Sequence, residues 1–255
     1  GPKAVSSANS GEVWYSFQPP MLLPASSELR MDDWLPSPAG KLGRVTQRGD
    51  QLIYGGRPIK LWGINNSYAQ CAPEGGLAKR RAHFYSAMGI NSVRLHKYAD
   101  GPGWAGILSE RSAAQYDDAA LGRMDYFVSA LKDKGIFVKL SPVFIADIGP
   151  DDVKKVPYAQ ELGKPNKNGW VSVGHGAFFL GEEIQDLLIE QVTNLLYHIN
   201  PYTGLTYAED PAIAFIELYN EDSALFFGQN GQRLATRCGR HWRYRRPIQY
   251  HQDHM

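Results

Sequence analysis

The sequence is short of several things. Only two cysteines, Cys71 and Cys238, occur in 255 residues, so neither a disulfide framework nor a cysteine-rich metal site can be built. The two could pair in an oxidising compartment or stay apart; free thiols are the expectation. No run of about 18 apolar residues is present, which excludes a membrane-spanning helix. The opening lacks the charged and apolar regions of a signal peptide. Its Gly1-Pro2 start has the form of a protease-cleavage remnant, so an export signal is expected to have been removed and the protein to be secreted or periplasmic. Neither sign of charge dominates: 27 Lys and Arg stand against 26 Asp and Glu, a formal net charge of +1. So weak a field gives no general reason to expect a nucleic-acid or membrane partner.

What the chain does have is material for a core. It is 43% hydrophobic and 12% aromatic, enough at this length to fold without staples. Residues 1–12, small and polar, read as a disordered lead. From Val13 to Arg57, Pro, Gly and Ser are frequent, and a hairpin is expected from 43–48 and 51–54 about Gly49-Asp50. Beyond it, short apolar runs alternate with segments of helical period, the signature of βαβ units around a parallel sheet. Four strands are expected at 59–65, 90–96, 136–144 and 212–219, with helices near 77–88, 121–134 and 182–199. In the second helix Met124, Phe127, Val128 and Leu131 follow the spacing of one buried face. The connection 145–181 is long enough to suggest a purpose.

The fourth strand ends in Glu217-Leu218-Tyr219-Asn220-Glu221-Asp222, which delivers an amide and a carboxylate side by side. Sugar hydrolysis uses that pair: a carboxyl protonates the departing oxygen, and an amide holds a neighbouring hydroxyl. A bare Asn-Glu pair, however, more commonly begins a solvated loop. Arg94 and His96 lie two apart on a strand and point to one side, which suits a polar cluster at the sheet's end and equally suits a buried ion pair. Trp62, Tyr68, Trp104, Trp170 and Tyr219 offer flat faces for sugar stacking. For each alone, core packing is the commoner role; Tyr68, Trp104 and Trp170 are favoured as platforms because they fall in loops after strands.

The segments Ile59-Lys-Leu-Trp-Gly-Ile-Asn65, Ile90-Asn-Ser-Val-Arg-Leu-His96, Gly135-Ile-Phe-Val-Lys-Leu140 and Ile213-Ala-Phe-Ile-Glu-Leu-Tyr-Asn-Glu221 resemble, in order, the first four strands of the clan A, cellulase-like (family 5 type) glycoside hydrolases. Leu196-Tyr-His-Ile-Asn-Pro-Tyr-Thr-Gly-Leu205 is similar to a group of large bacterial members. The resemblance implies an α/β fold, a partial (β/α)8 barrel of about four βα units with an N-terminal β-hairpin cap. It divides the chain into 1–57 (lead and cap), 58–231 (half barrel) and 232–255 (basic tail). It implies a glycosidase acting on a β-linked polysaccharide or oligosaccharide of glucan or mannan type, with no metal or organic cofactor. In that frame Glu221 is the general acid/base and Asn220 the amide beside the cleaved bond. Arg94 orients the nucleophile, and His96 lines the cleft.

The chain also departs from the pattern. A full barrel has eight strands in about 250 residues, whereas the fourth strand here is expected to end near residue 219. The family's nucleophilic glutamate, on the seventh strand, has no match, although a retaining mechanism needs two carboxyl groups about 5–5.5 Å apart. Six arginines lie from Arg233 to Arg246, and a reading-frame change or premature end in the gene is the expectation, so that the tail after about Gly231 is not inherited barrel sequence. A basic arm for nucleic acid is the minor alternative, and His241, His251 and His254 fit no strong metal spacing. Half a barrel exposes two sheet edges, so a homo-oligomer pairing half barrels is expected. Two other readings stay open: an inactive sugar-binding or assembly protein, and an unrelated barrel enzyme moving protons with Glu221, His96 and Asp100.

Overall fold

Strands buried on one face by helices, with βαβ spacing, should lie parallel, and they do. The computed structural model describes residues 23–144, 147–173, 177–179 and 181–221, together with the backbone of 4–6 and 13–15. At the start, β1 (Ala4–Ser6) pairs antiparallel with β2 (Val13–Tyr15), where the composition suggested an unstructured lead. Next comes a three-stranded antiparallel cap of β3 (Thr46–Arg48), β4 (Gln51–Tyr54) and β5 (Arg57–Pro58). The main body runs β6 (Gly63–Ser67), α1 (Gly75–Ala87), β7 (Ser92–His96), α2 (Asp118–Asp133) and β8 (Phe137–Ser141). It continues through α3 (Ala159–Leu162), α4 (Glu182–Tyr197), a small hairpin of β9 (Ile199–Asn200) and β10 (Leu205–Thr206), and β11 (Ile213–Ile216). The central sheet has the order β11-β8-β7-β6 with every pairing parallel.

Sequence chemistry explains the boundaries. Asp117 caps α2 by accepting a 2.8 Å bond from the Ala120 amide, and Lys132 sits in its last turn, opposite the helix dipole's negative end. Met124, Phe127, Val128 and Leu131 of this helix are all buried, the face that their spacing predicted, and Leu121 joins them. Along α4 one apolar face is expected from Ile184, Leu187, Leu188, Val192, Leu195, Leu196 and Ile199; Ile184, Leu187, Leu188 and Leu195 are buried, Val192 and Leu196 are partly buried, and Ile199, beyond the helix end, is exposed. The first barrel strand begins at Gly63 rather than at residue 59. Ile59 and Leu61 instead pack across the lower end of the sheet, with Ala39, Tyr54, Phe137 and Ala212, and the Ile59 amide bonds the Leu52 carbonyl of the cap at 2.9 Å.

The 196–205 segment has a structural task. Asp125 of α2, 1% exposed, meets His198 Nε2 at 2.8 Å and accepts from Tyr207 Oη at 2.8 Å, while Asn200 Nδ2 donates to its carbonyl at 2.9 Å. A buried carboxylate is tolerated because its oxygens are satisfied, and the network ties the β9–β10 hairpin to α2. Cys71 is buried and a free thiol, as expected. Cys238, the arginine-rich tail and its histidines lie outside the described residues. Among the described residues no helix is long and apolar enough to cross a membrane.

Candidate active site

On a parallel sheet, alternate side chains face opposite ways, and register then sets neighbours side by side. Asn65, Arg94, Lys139 and Phe215 form one such row across the sheet, and Ser67, His96 and Ser141 form the next, nearer the C-terminal strand ends. The face opposite carries Val93, Leu95, Val138 and Leu140, all buried under the helices. The polar face is concave and lines a cavity of about 330 Å³, with Arg94 and Lys139 among its walls.

Arg94 grips Glu217 with two bonds, Nε to Oε2 at 3.0 Å and a terminal nitrogen to Oε1 at 2.7 Å; the same nitrogen donates to Asn220 Oδ1 at 2.6 Å. Lys139 Nζ completes the group 2.7 Å from Glu217 Oε2. Burial opposes ionisation of Glu217, but the hydrogen bonds from Lys139 and Arg94 outweigh it and hold the carboxyl below its ordinary value. Asn220 is buried, and its amide bonds the Val143 carbonyl at 3.4 Å, extending the pairing of β11 with β8. Because Arg94 takes the Oδ1 side, the Nδ2 donors of Asn220 remain for another acceptor. Glu221 follows with φ 53°, a left-handed backbone that turns its side chain out to solvent.

His96 Nδ1 lies 2.9 Å from Ser141 Oγ. Burial first, then the charges of Arg94 and Lys97, push the imidazole down to about 4, so it is neutral at ordinary pH. Asp100 is opposite in sense: burial raises its carboxyl to about 7, against the Phe144 amide that bonds it at 2.7 Å.

The signs of these two shifts give a stability test. Between pH 4 and 6.5 the unfolded chain protonates its histidine while folded His96 stays neutral, so His96 lowers stability as pH falls. Asp100 has its folded pKa raised from 3.8 to about 7, so it favours folding at low pH and that contribution fades as pH rises through 7. The two slopes oppose each other in the parent. Urea midpoints measured across pH 4–7 should show Asp100→Asn gaining on the parent as pH rises, and His96→Gln gaining as pH falls. Parallel curves for all three proteins would refute this assignment.

Around this centre the aromatic candidates separate. Tyr68, just after β6, is half-buried, and its ring lies 5.5 Å from that of Trp104, which is 78% exposed. Three of the candidates, Trp62, Trp170 and Tyr219, are placed away from the open face. Trp62 is exposed but precedes β6, at the opposite strand end from His96, where its amide is tied to Asn91 Oδ1 at 2.7 Å. Trp170, itself on the long connection, is 6% exposed, its indole N–H bonded to the Glu110 carbonyl at 3.0 Å, and it packs into the core. Tyr219 is 8% exposed and stacked on Phe178 at 4.3 Å, so its faces are covered. Strand alternation cannot foresee these outcomes, because each depends on which loop folds over the ring.

Glu217 and Lys139 were not singled out from the sequence. Their signal is a charge at an inward position of an otherwise apolar strand: Lys139 between Val138 and Leu140, and Glu217 four residues before Glu221. Among the described residues no group of three His, Cys, Asp or Glu side chains could hold a metal ion.

The parallel four-stranded sheet and the Asn220-Glu221 corner can be compared with known proteins. No family model matches the sequence. In structure, the chain superposes on an endo-1,4-beta-mannanase from Rhizomucor miehei with a TM-score of 0.51 at 21% identity, covering 70% of this chain and 48% of that one. A glycoside hydrolase family 5 mannosidase from the same fungus gives 0.51 at 14% identity, over 76% of this chain and 52% of the other. The chain has a family 5 mannanase-like fold. In sequence it is 27% identical over 187 residues to mannan endo-1,4-beta-mannosidase 2 of Oryza sativa subsp. japonica, 72% of this chain but 40% of the relative. The similarity to family 5 endo-β-1,4-mannanases is therefore distant and covers part of their barrel, half or less of each relative's length in sequence and about half in structure.

Proposed function

We propose that this chain carries the proton-donor side of a glycoside hydrolase site acting on a β-linked, mannan-type polysaccharide. The observation that carries the reading is the Arg94–Glu217–Asn220 cluster, which buries an oriented amide immediately beside an exposed carboxylate at a strand end. Glu221 would protonate the departing glycosidic oxygen and later activate water. Asn220 Nδ2 would donate to a sugar hydroxyl whose bond strengthens as positive charge grows at the ring. Glu217 is not the opposing carboxylate in this reading, because two cations already engage it.

The nucleophile would come from further barrel strands placed against the edges of β6 and β11, which pair with no further strand among the described residues. A second copy of the chain is one way to supply such strands, since two parallel four-stranded sheets make eight. A second reading, sugar binding without hydrolysis, is favoured by the Trp104–Tyr68 pair, which stands complete without any second carboxylate.

The experiment is release of reducing ends from mannans, glucans and xylans by the purified chain, beside Glu221→Gln, with particle mass followed by light scattering. Mannan hydrolysis by an oligomer, lowered by Glu221→Gln at least about a hundredfold as expected for a lost general acid, supports the hydrolase. A folded parent that binds mannan without cleaving it leaves the binding reading instead.

A further inference from the structure

Among the described residues only three non-glycine residues have a left-handed backbone: Tyr68, Lys97 and Glu221, with φ of 57°, 57° and 53°. Tyr68 directly follows β6, Lys97 directly follows β7, and Glu221 lies just past β11. All three are on the rim that holds the Asn220-Glu221 corner. Side chains with a Cβ adopt this conformation only where their surroundings enforce it, and such positions concentrate at ligand sites.

At Lys97 the enforcing contacts are visible. Its amide donates to the Ser141 carbonyl at 2.7 Å, fixing the chain where it leaves the strand. Its ammonium lies 4.1 Å from the centroid of the Phe144 ring and 5.3 Å from that of Tyr68, and it donates to Tyr68 Oη at 3.2 Å. No carboxylate within ion-pair distance of it is found among the described residues; Asp100 feels its charge from farther away. Tyr68 in turn leans on the exposed indole of Trp104. The result is a row of Phe144, Lys97, Tyr68 and Trp104, in which a cation with spare donors is held between aromatic faces.

Two rings and one hydroxyl do not neutralise an ammonium. The neighbouring charges add to the imbalance: Arg94 and Lys139 share one carboxylate, that of Glu217, while Glu221 stands out at the rim. Asp100, three residues on, spends one oxygen on the Phe144 amide. We propose that Lys97, with Tyr68 and Trp104, forms a subsite that selects an acidic sugar unit, a uronate carboxylate, in the bound glycan. A carboxylate is the natural complement because charge-assisted bonds to a partly desolvated ammonium are much stronger than those to a sugar hydroxyl. The indole supplies the stacking face for the same unit or its neighbour. This inference rests on the proposed glycan-acting site and adds an acidic unit to the glycan that the site accepts, whatever the backbone sugar.

The test is affinity gel electrophoresis of the full chain in glucuronoxylan, in the same polymer after chemical reduction of its carboxyl groups, and in neutral galactomannan. The parent is expected to bind the native acidic polymer about tenfold more tightly than its reduced form, with the difference shrinking at high salt. Lys97→Met should abolish that preference and Lys97→Arg should keep part of it. Lys97→Gly removes the ammonium and also relieves the left-handed backbone, so it guards against misfolding as the cause. Trp104→Ala should weaken both forms alike. Equal binding of the native and reduced polymers by the parent, or a preference that survives in Lys97→Gly, overturns the proposal. Galactomannan hydrolysis with no acidic preference would sink the subsite and leave the hydrolase reading standing. A Lys97-dependent preference with no glycan cleaved would do the reverse.

Discussion

Arg94→Met is expected to lower folding stability by about 2–3 kcal/mol, below the range for stranding one partner of a fully buried pair because this pair is only partly buried and a second cation remains. Arg94 and Glu217 side chains are 22% and 19% exposed, so solvent compensates only in part for the loss. Removing the guanidinium deletes both bonds to Glu217 and the one to Asn220 Oδ1. Lys139 stays 2.7 Å from Glu217 and limits the damage. The second substitution Glu217→Gln, made on top of Arg94→Met, should recover part of the stability, because a neutral amide tolerates the site better than a half-paired carboxylate. Urea unfolding of the parent, both single variants and the double variant checks this as a cycle. Additive effects would mean that the pair is not coupled. The same variant frees the Asn220 amide to rotate, so glycan affinity should fall even where the protein remains folded.

Gly106→Ala should cost about 3 kcal/mol or more, because the new methyl has nowhere to go. Gly106 has φ 151°, and a Cβ there would sit 2.1 Å from the Tyr98 carbonyl oxygen and 2.7 Å from its carbon. That carbonyl cannot retreat: it accepts the Ile107 amide at 2.7 Å, and Tyr98 is 1% exposed. Gly103, three residues earlier in the same loop, is the control. Its φ is 63° but a Cβ would meet nothing within 4 Å, so Gly103→Ala should cost only the left-handed penalty, about 1 kcal/mol. Since the two glycines bracket Trp104, thermal melts should be read together with tryptophan emission. Equal losses in the two variants would show that the loop shifts as a body and that close contact at Gly106 does not define it.

These two sites illustrate how differently parts of the protein are written. Arg94 and His96 could be placed on one face of a strand from their spacing alone, and both face the concave side. The partner of Arg94 could not be named, because Glu217 lies 123 residues away and comes beside it only when β8 inserts between β7 and β11. Lys97 carries no signal in the sequence for a related reason. A lysine after a strand is ordinarily a solvated charge, and only the approach of Phe144 and Tyr68 makes it a held cation.

What the sequence by itself determined is the βα rhythm. Apolar strands, amphipathic helices with Asp117 as a cap, and the glycines that end α1 and α2 are local properties, set by side-chain period and backbone sterics. Those elements already dictate a parallel sheet with helices on one side, and hence a concave polar face ending in Asn220-Glu221. Tertiary structure alone decided the rest. Ile59 and Leu61 were drawn into the plug beneath the sheet, moving the start of β6 to Gly63. Trp170 was drawn from the long connection into the core and Tyr219 was stacked on Phe178, while Trp104 was left open. Burial of a ring depends on which distant segment covers it, and period along one strand holds no information about that.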